Sequence, residues 1–127
     1  MTKNWREKCI SYPNLMFGRA LRSARNRAVK RKIPFDLTRE YLIDLFESQN
    51  GLCHYSEIPL NIVKDKEDRI HDPLKMSLDC VDPSKGYVPG NVVWCAYCIN
   101  ALKLKMSTNK MVDICRHVVK VASKRGW

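Results

Sequence analysis

Two aspartates, a cysteine and two asparagines in one short stretch are the residues best suited to chemistry. Asp79, Cys80 and Asp82 precede a Pro-Ser-Lys-Gly turn signal, Asn91 follows a Pro-Gly pair, and Asn100 comes nine positions after Asn91. Carboxylate and carboxamide oxygens are ligands for hard cations such as Mg²⁺, and such a cation can polarise a phosphate ester. Asp-Pro is also an ordinary turn dipeptide, so the aspartates alone do not decide between a metal site and a turn.

The sequence around these residues is similar to a known nuclease family. From Ser77 to Lys103 the chain reads SLDCVDPSKGYVPGNVVW and then CAYCINALK. This stretch resembles the HNH branch of the ββα-metal nucleases, and within it the phage and viral members that carry a Ser-Leu-Asp-Arg signature. The lead-in segments RKIPFDLT and QNGLCHYSEIPL resemble the same group, so the resemblance spans residues 22–112.

The resemblance implies roles for single residues. Asp79 and Asn100 would bind Mg²⁺ or Mn²⁺, Asn91 would orient the general base, and Cys80 stands where the family has the histidine that serves as that base. Lys103 matches a basic residue one helical turn after Asn100. The implied activity is an endonuclease that hydrolyses nucleic-acid phosphodiester bonds, with double-stranded DNA as the expected substrate. An enzyme that makes double-strand breaks with one site per chain would need two chains, so a homodimer is one expected arrangement.

The cysteine in the base position is the main departure from the family pattern. A thiol with its ordinary pKa of about 8.5 accepts a proton poorly near neutral pH. Asp82, His71 or His54 could serve as the base instead, or a second metal-bound hydroxide could replace it. The remaining alternative is a catalytically inactive module that keeps the HNH fold and binds nucleic acid or another partner.

Positive charge is concentrated at the start of the chain. The formal net charge is +10, and residues 1–32 hold ten lysines and arginines against the single acid Glu7. This one-sided charge favours a polyanionic partner, nucleic acid above all, although a ribosomal or membrane-surface protein would show a similar balance. The residues expected to contact phosphates are Arg19, Arg22, Arg25, Arg27, Lys30, Arg31, Lys85, Lys103 and Lys105.

A polar start to the chain and the lack of a long apolar segment favour an intracellular protein that is not secreted and lies in no membrane. Its six cysteines are then expected to be free or metal-bound rather than paired. No structural disulfide is expected in that setting. Cys95 and Cys98 form a CxxC pair that could bind a structural Zn²⁺ together with Cys53, but the partner pair ends in Ser56, which binds zinc poorly. The alternative is that Cys95 and Cys98 are partly buried thiols that pack against the strands.

Hydrophobic periodicity and turn signals predict an α+β fold in a single domain. The expected order is a basic N-terminal helical region (1–50), an HNH ββα core (51–106) and a C-terminal helix (107–127). Within these regions the predicted helices are 14–32, 38–49, 94–105 and 108–124, and the predicted strands are 75–82 and 87–94. Trp94 is expected in the core. The face of the last helix expected to point inward comprises Met111, Ile114, Cys115, Val118 and Val121.

Overall fold

The computed structural model describes residues 17–62 and 72–127, which form four helices and a two-stranded antiparallel sheet. In chain order the elements are α1 (Phe17–Arg31), α2 (Arg39–Ser48), β1 (Met76–Cys80), β2 (Val92–Ala96), α3 (Tyr97–Lys103) and α4 (Thr108–Arg125). The predicted α+β class is therefore confirmed, and the division of the chain at residues 50 and 106 stays a prediction. No helix in the described parts is long and apolar enough to cross a membrane.

The two N-terminal helices begin and end where local chemistry dictates. On α1, Phe17, Ala24 and Ala28 share one buried face, and the helix ends before Lys32, which has a positive φ of 56°. At the start of α2, the side chain of Thr38 accepts a hydrogen bond from a backbone N–H of the first turn. This bond satisfies a group that has no partner inside the helix.

The sheet and the helix that follows it carry the region of chemical interest. β1 pairs with β2 in a register that sets Leu78 opposite Trp94 and Cys80 opposite Val92. α3 starts directly after β2, so the last residues of β1 lie beside the first turns of α3. This arrangement brings residues 79 and 100 to the same part of the molecule, as the resemblance predicts.

A cluster of three aromatic rings joins the N-terminal helices to the sheet. The rings of Phe17, Phe46 and Trp94 meet edge to face, with centroids 5.6 to 5.8 Å apart. The indole N–H of Trp94 donates to the backbone oxygen of Leu42 at 3.0 Å, and Trp94 is fully buried. The prediction of Trp94 as a core residue is confirmed.

The second strand and the third helix begin later in the chain than predicted. β2 begins at Val92 rather than at residue 87, because Pro89-Gly90 forms a turn in which the Asn91 N–H donates to the oxygen of Val88. Gly90 lies in the left-handed region at a φ of +85°. Residues 94–96 complete β2, so α3 spans 97–103 rather than 94–105.

The last helix is less buried than its sequence suggests. Met111 is buried, but Cys115 is exposed and Val118 is 56% exposed. Ser107 caps the helix by accepting from the Lys110 N–H at 3.1 Å. The prediction that Cys115 and Val118 point inward is wrong, because both side chains are exposed to solvent.

Candidate functional site

A cleft of about 310 Å³ opens beside the end of β1. Its walls come from α1, β1, the turn after β1, and α3. Its lining includes Asp79, Cys80 and Asn100, with Arg27, Arg31 and Lys105 at its side. The structure thus brings three of the predicted catalytic residues and three of the predicted phosphate-binding residues into one cavity.

Asp79 lies at the base of this cleft with both carboxylate oxygens engaged. The residue is only 4% exposed. Its Oδ2 accepts a hydrogen bond of 2.5 Å from the Tyr55 hydroxyl and lies 3.2 Å from the Lys103 ammonium. Burial, and then the neighbouring Asp79, raise the pKa of Tyr55 well above its usual value, so this phenol remains a hydrogen-bond donor.

Lys103 is an internal cation rather than a surface contact. Its side chain is fully buried, and its Nζ also donates to the backbone oxygens of Cys80 at 3.3 Å and Val81 at 3.2 Å. These bonds tie α3 to the end of β1, and the ammonium supplies the counter-charge for the Asp79 carboxylate. The prediction that Lys103 contacts nucleic acid is therefore wrong, because a side chain that is fully buried cannot reach a phosphate outside the protein.

The carboxamide of Asn100 is oriented by β1. Its Nδ2 donates to Ser77 Oγ at 2.8 Å and to the Leu78 backbone oxygen at 3.3 Å. No hydrogen bond to its Oδ1 is found within the described residues. Because the amide group is fixed through its nitrogen, its oxygen is free to act as a ligand in the cleft.

Asn91 holds the turn after β1 in shape. Its Nδ2 donates to the Gly86 oxygen at 2.7 Å and to the Asp82 oxygen at 3.0 Å, while its Oδ1 accepts from the Asp82 N–H at 3.1 Å. The same Nδ2 lies 3.2 Å from the sulfur of Cys80. This network fixes the backbone around the position that the general base would occupy.

The thiol of Cys80 is buried and protonated. Its Sγ donates to the Gly86 oxygen at 3.0 Å, and the residue is only 6% exposed. Burial, followed by the charge of Asp79, raises the pKa of the Cys80 thiol. A thiol in this state donates a proton to a backbone carbonyl and does not accept one from water.

Two of the alternative bases, Asp82 and His54, do not line the cleft. The Asp82 carboxylate accepts hydrogen bonds from the hydroxyl and the backbone N–H of Ser84, which lower the pKa of Asp82. His54 is exposed, with its ring centroid 5.1 Å from that of Tyr55, and does not line the cleft. His71 lies outside the described residues.

The donor set fits a hydrated hard cation better than a metal held entirely by protein. Asp79 and Asn100 offer two oxygen-bearing side chains to the same cleft. Within residues 17–62 and 72–127, no group of three or more His, Cys, Asp or Glu side chains is arranged to hold a metal ion. Mg²⁺ is commonly bound by one or two such protein ligands together with water and substrate phosphate.

The three cysteines considered for zinc do not converge. Cys53 and Cys95 are buried, but Cys98 is exposed, contrary to its predicted partial burial. The Cys53 sulfur accepts a hydrogen bond from the Ala96 N–H at 3.4 Å, and burial raises the pKa of the Cys95 thiol. Cys53 and Cys95 therefore behave as packed core thiols.

The basic residues of α1 divide into two groups. Arg27 and Arg31 face the cleft, and the Arg27 guanidinium lies 5.8 Å from the centre of the Tyr87 ring with its buried Nε lacking a hydrogen-bond partner in the described residues. The other residues predicted to bind phosphates do not line the cleft: Arg19, Arg22, Arg25, Lys30 and Lys85.

Two tyrosines of the site were missed by sequence reasoning. Tyr55 contacts Asp79 from a loop that comes 24 residues earlier in the chain. Tyr97 opens α3, lines the cleft and is 47% exposed, with the Lys75 ammonium 4.3 Å from its ring centre. A half-exposed aromatic ring among cations is a typical platform for stacking a base. Tyr97 lies inside the CxxC pair, and an aromatic residue at that position is the sequence feature that could have identified it.

Comparison with solved structures shows a likeness of fold to an HNH nuclease. No protein-family model and no curated protein matches the chain. A solved structure of the rare-cutting HNH restriction endonuclease PacI superposes with a TM-score of 0.58 and 18% sequence identity, covering 87% of this chain and 81% of the other. At that identity the likeness is one of fold alone. The chain therefore has an HNH-like α+β fold.

Proposed function

We propose that the protein is an HNH-type endonuclease that hydrolyses nucleic-acid phosphodiester bonds with the help of Mg²⁺ or Mn²⁺. The observation that carries the proposal is the composition of the cleft, where the oxygen-bearing side chains of Asp79 and Asn100 face the cations Arg27, Arg31 and Lys105. A cavity with both properties suits a phosphate group and a hard cation at once. The fold shared with an HNH restriction endonuclease supports this assignment.

Each side chain has a separable part in the reaction. Arg27 and Arg31 bind the backbone phosphates and orient the scissile bond. Asp79 and Asn100 would hold the divalent cation, whose chemistry when bound is to polarise the phosphate and stabilise the leaving oxygen. Asn91 keeps the turn closed, and Lys103 fixes the direction of the Asp79 carboxylate. Cys80 stays protonated, so the proton of the attacking water leaves to solvent or to a substrate oxygen.

Double-stranded DNA is the proposed substrate. The exposed side of the cleft is bordered by arginines, which bind phosphates without reading sequence. Tyr97 adds an aromatic surface that an unstacked base could cover.

Binding without cleavage is the second candidate function. It is favoured by the buried contact of 3.2 Å between the Asp79 carboxylate and the Lys103 ammonium, because a cation already neutralises the carboxylate there. The protonated thiol of Cys80 supports the same alternative. In that case the cleft would hold a phosphate of the backbone and leave it intact.

A nicking assay on supercoiled DNA distinguishes the two candidates. With Mg²⁺ or Mn²⁺ the wild-type protein is expected to nick the plasmid, and Asp79→Asn and Asn100→Ala are expected to lose nicking while retaining DNA binding. Asp113→Ala, which removes an exposed carboxylate from α4, is the matched control and should cut normally.

Three results would contradict either the site or the nuclease assignment. Unchanged nicking by Asp79→Asn would reject the site, provided that circular dichroism shows a folded protein. Tight DNA binding with no nicking in any divalent metal would establish the second candidate. Activity that appears only in Cys80→His would show that the scaffold can cut and that the natural chain does not.

A further inference from the structure

An apolar groove lies on the other side of α3 from the cleft. It has a volume of about 530 Å³ and runs between α3 and α4. Its lining includes Ile99 and Leu102 from α3 and Met111, Val112 and Val119 from α4. None of these five residues lines the cleft, so the groove is a separate feature of the molecule.

The groove leaves apolar side chains in contact with solvent. Leu102 is 43% exposed, Val112 is 36% exposed and Val119 is 64% exposed. An apolar groove of this kind, lined mainly by two helices and partly exposed to solvent, is typical of a site that receives the apolar face of another helix.

The border of the groove is strongly basic. Arg116 and Lys120 line it, and both lie on α4. That helix carries five lysines and arginines against a single acid, Asp113. A partner that fits both features must combine apolar anchors with acidic flanks.

The basic border and the concave shape of the groove argue against two other apolar occupants, a second copy of the chain and a membrane. In a symmetric dimer the same patch meets itself, so two basic α4 helices would face each other and repel. An anionic bilayer would suit the charge, but a bilayer is contacted by a protruding helix face, whereas these side chains line a concave groove between two helices.

We propose that the groove between α3 and α4 docks an acidic amphipathic helix of a partner protein. Its apolar residues would enter between Leu102 and Val119, and its carboxylates would pair with Arg116 and Lys120. The proposal does not depend on whether the cleft cuts nucleic acid. It predicts a protein partner for a molecule whose other surface features point to nucleic acid.

Selection from two matched helical peptide libraries tests this proposal on the full chain. In both libraries the residues on the apolar face of the peptide helix are varied. The positions that flank this face are glutamates in one library and lysines in the other. Only the glutamate library is expected to yield binders. Their affinity should fall by about tenfold or more in Val119→Asp and in the Arg116→Glu/Lys120→Glu double variant.

Val118→Asp is the matched control, because Val118 neighbours Val119, is 56% exposed and does not line the groove. It should bind the selected peptides like the wild-type protein. Equal loss in Val118→Asp and Val119→Asp would overturn the proposal, as would binders from the lysine library. If sedimentation analysis shows that the wild-type protein is a dimer and that Val119→Asp is a monomer, the groove would be assigned to a second copy of the chain. Val119-dependent binding to phosphatidylserine vesicles would assign it to a membrane surface.

Discussion

At the level of single residues, the candidate site depends on an ion pair that is shut off from water. Lys103 is fully buried and Asp79 is 4% exposed, with their charged atoms 3.2 Å apart. Removal of two charges from water is costly, and the cost is recovered only when good geometry and further hydrogen bonds satisfy both groups. Tyr55 supplies such a bond to Asp79, and the oxygens of Cys80 and Val81 supply them to Lys103.

Lys103→Met is therefore expected to destabilise the protein strongly. The substitution leaves the Asp79 carboxylate buried without its counter-charge, which typically lowers the free energy of unfolding by about 3–5 kcal/mol. Chemical denaturation measures this loss. The Asp79→Asn/Lys103→Met double variant should lose less than the sum of the two single variants, because neither charge then remains alone. Additive losses would contradict the coupling of the pair.

The same two residues show what sequence reasoning could and could not find. The resemblance of the sequence to the HNH family places Asp79, Cys80, Asn91 and Asn100 in one region. The structure brings these four residues together around the end of β1. The pattern could not show that Lys103 turns inward, because a lysine that follows the asparagine by one turn can equally face solvent. Burial of a cation is decided by the tertiary position of the carboxylate that meets it.

At the level of elements, the turn between β1 and β2 determines the shape of the site. Gly86 has a φ of +84°, and a Cβ atom there would lie 2.4 Å from the backbone oxygen of Pro34. Its own oxygen accepts from Asn91 and Cys80. The glycine thus allows the segment before α2 to approach the turn that carries the hydrogen-bond network.

Gly86→Ala is expected to cost more stability than Gly90→Ala. Both glycines have similar positive φ values, +84° and +85°, but the added Cβ at Gly90 would meet no atom within 4 Å. Gly90→Ala should therefore show only the backbone strain of about 1–2 kcal/mol, and Gly86→Ala should show the steric clash in addition. Thermal denaturation of the two variants compares the costs. Equal losses would show that Pro34 moves aside freely.

The elements also explain why the sequence misplaced some boundaries. The apolar run from Tyr87 to Trp94 predicts a strand, yet Tyr87 lies in an isolated bridge with Phe35 and the regular ladder begins only at Val92. On α4, the apolar periodicity predicts a buried face, but part of that face is exposed to solvent. Periodicity identifies an apolar face without identifying what covers it.

α1 is the element that should control affinity for nucleic acid. Arg27→Ala/Arg31→Ala removes two cations that line the cleft. Each phosphate contact contributes about 0.9 to the slope of log affinity against log salt on duplex DNA, so the double variant should bind more weakly, with a slope shallower by about 2. Fluorescence anisotropy across a salt series measures both quantities. Lys124→Ala/Arg125→Ala, which removes the same charge from the end of α4, should keep the wild-type slope.

At the level of the whole molecule, α3 separates two surfaces of different character. Tyr97 and Asn100 face the basic cleft, whereas Ile99 and Leu102 face the apolar groove. One short helix therefore contributes alternate faces to both surfaces. The hydrogen bond from Tyr55, which lines the groove, to Asp79 in the cleft is a direct connection between them.

Because the two surfaces have different lining residues, their partners should bind independently. Val119→Asp is expected to leave the affinity for DNA within about twofold of the wild-type value, since Val119 is exposed on α4 and outside the cleft. Arg27→Ala/Arg31→Ala should likewise leave the affinity for a groove-binding peptide unchanged. Anisotropy titrations of each ligand in the presence of the other measure the coupling. Competition between DNA and peptide would instead indicate either a single continuous surface or a coupling of the two sites through Tyr55. Tyr55→Phe distinguishes these cases, because it removes the hydrogen bond to Asp79 and keeps the ring. Competition that disappears in this variant would indicate coupling through Tyr55.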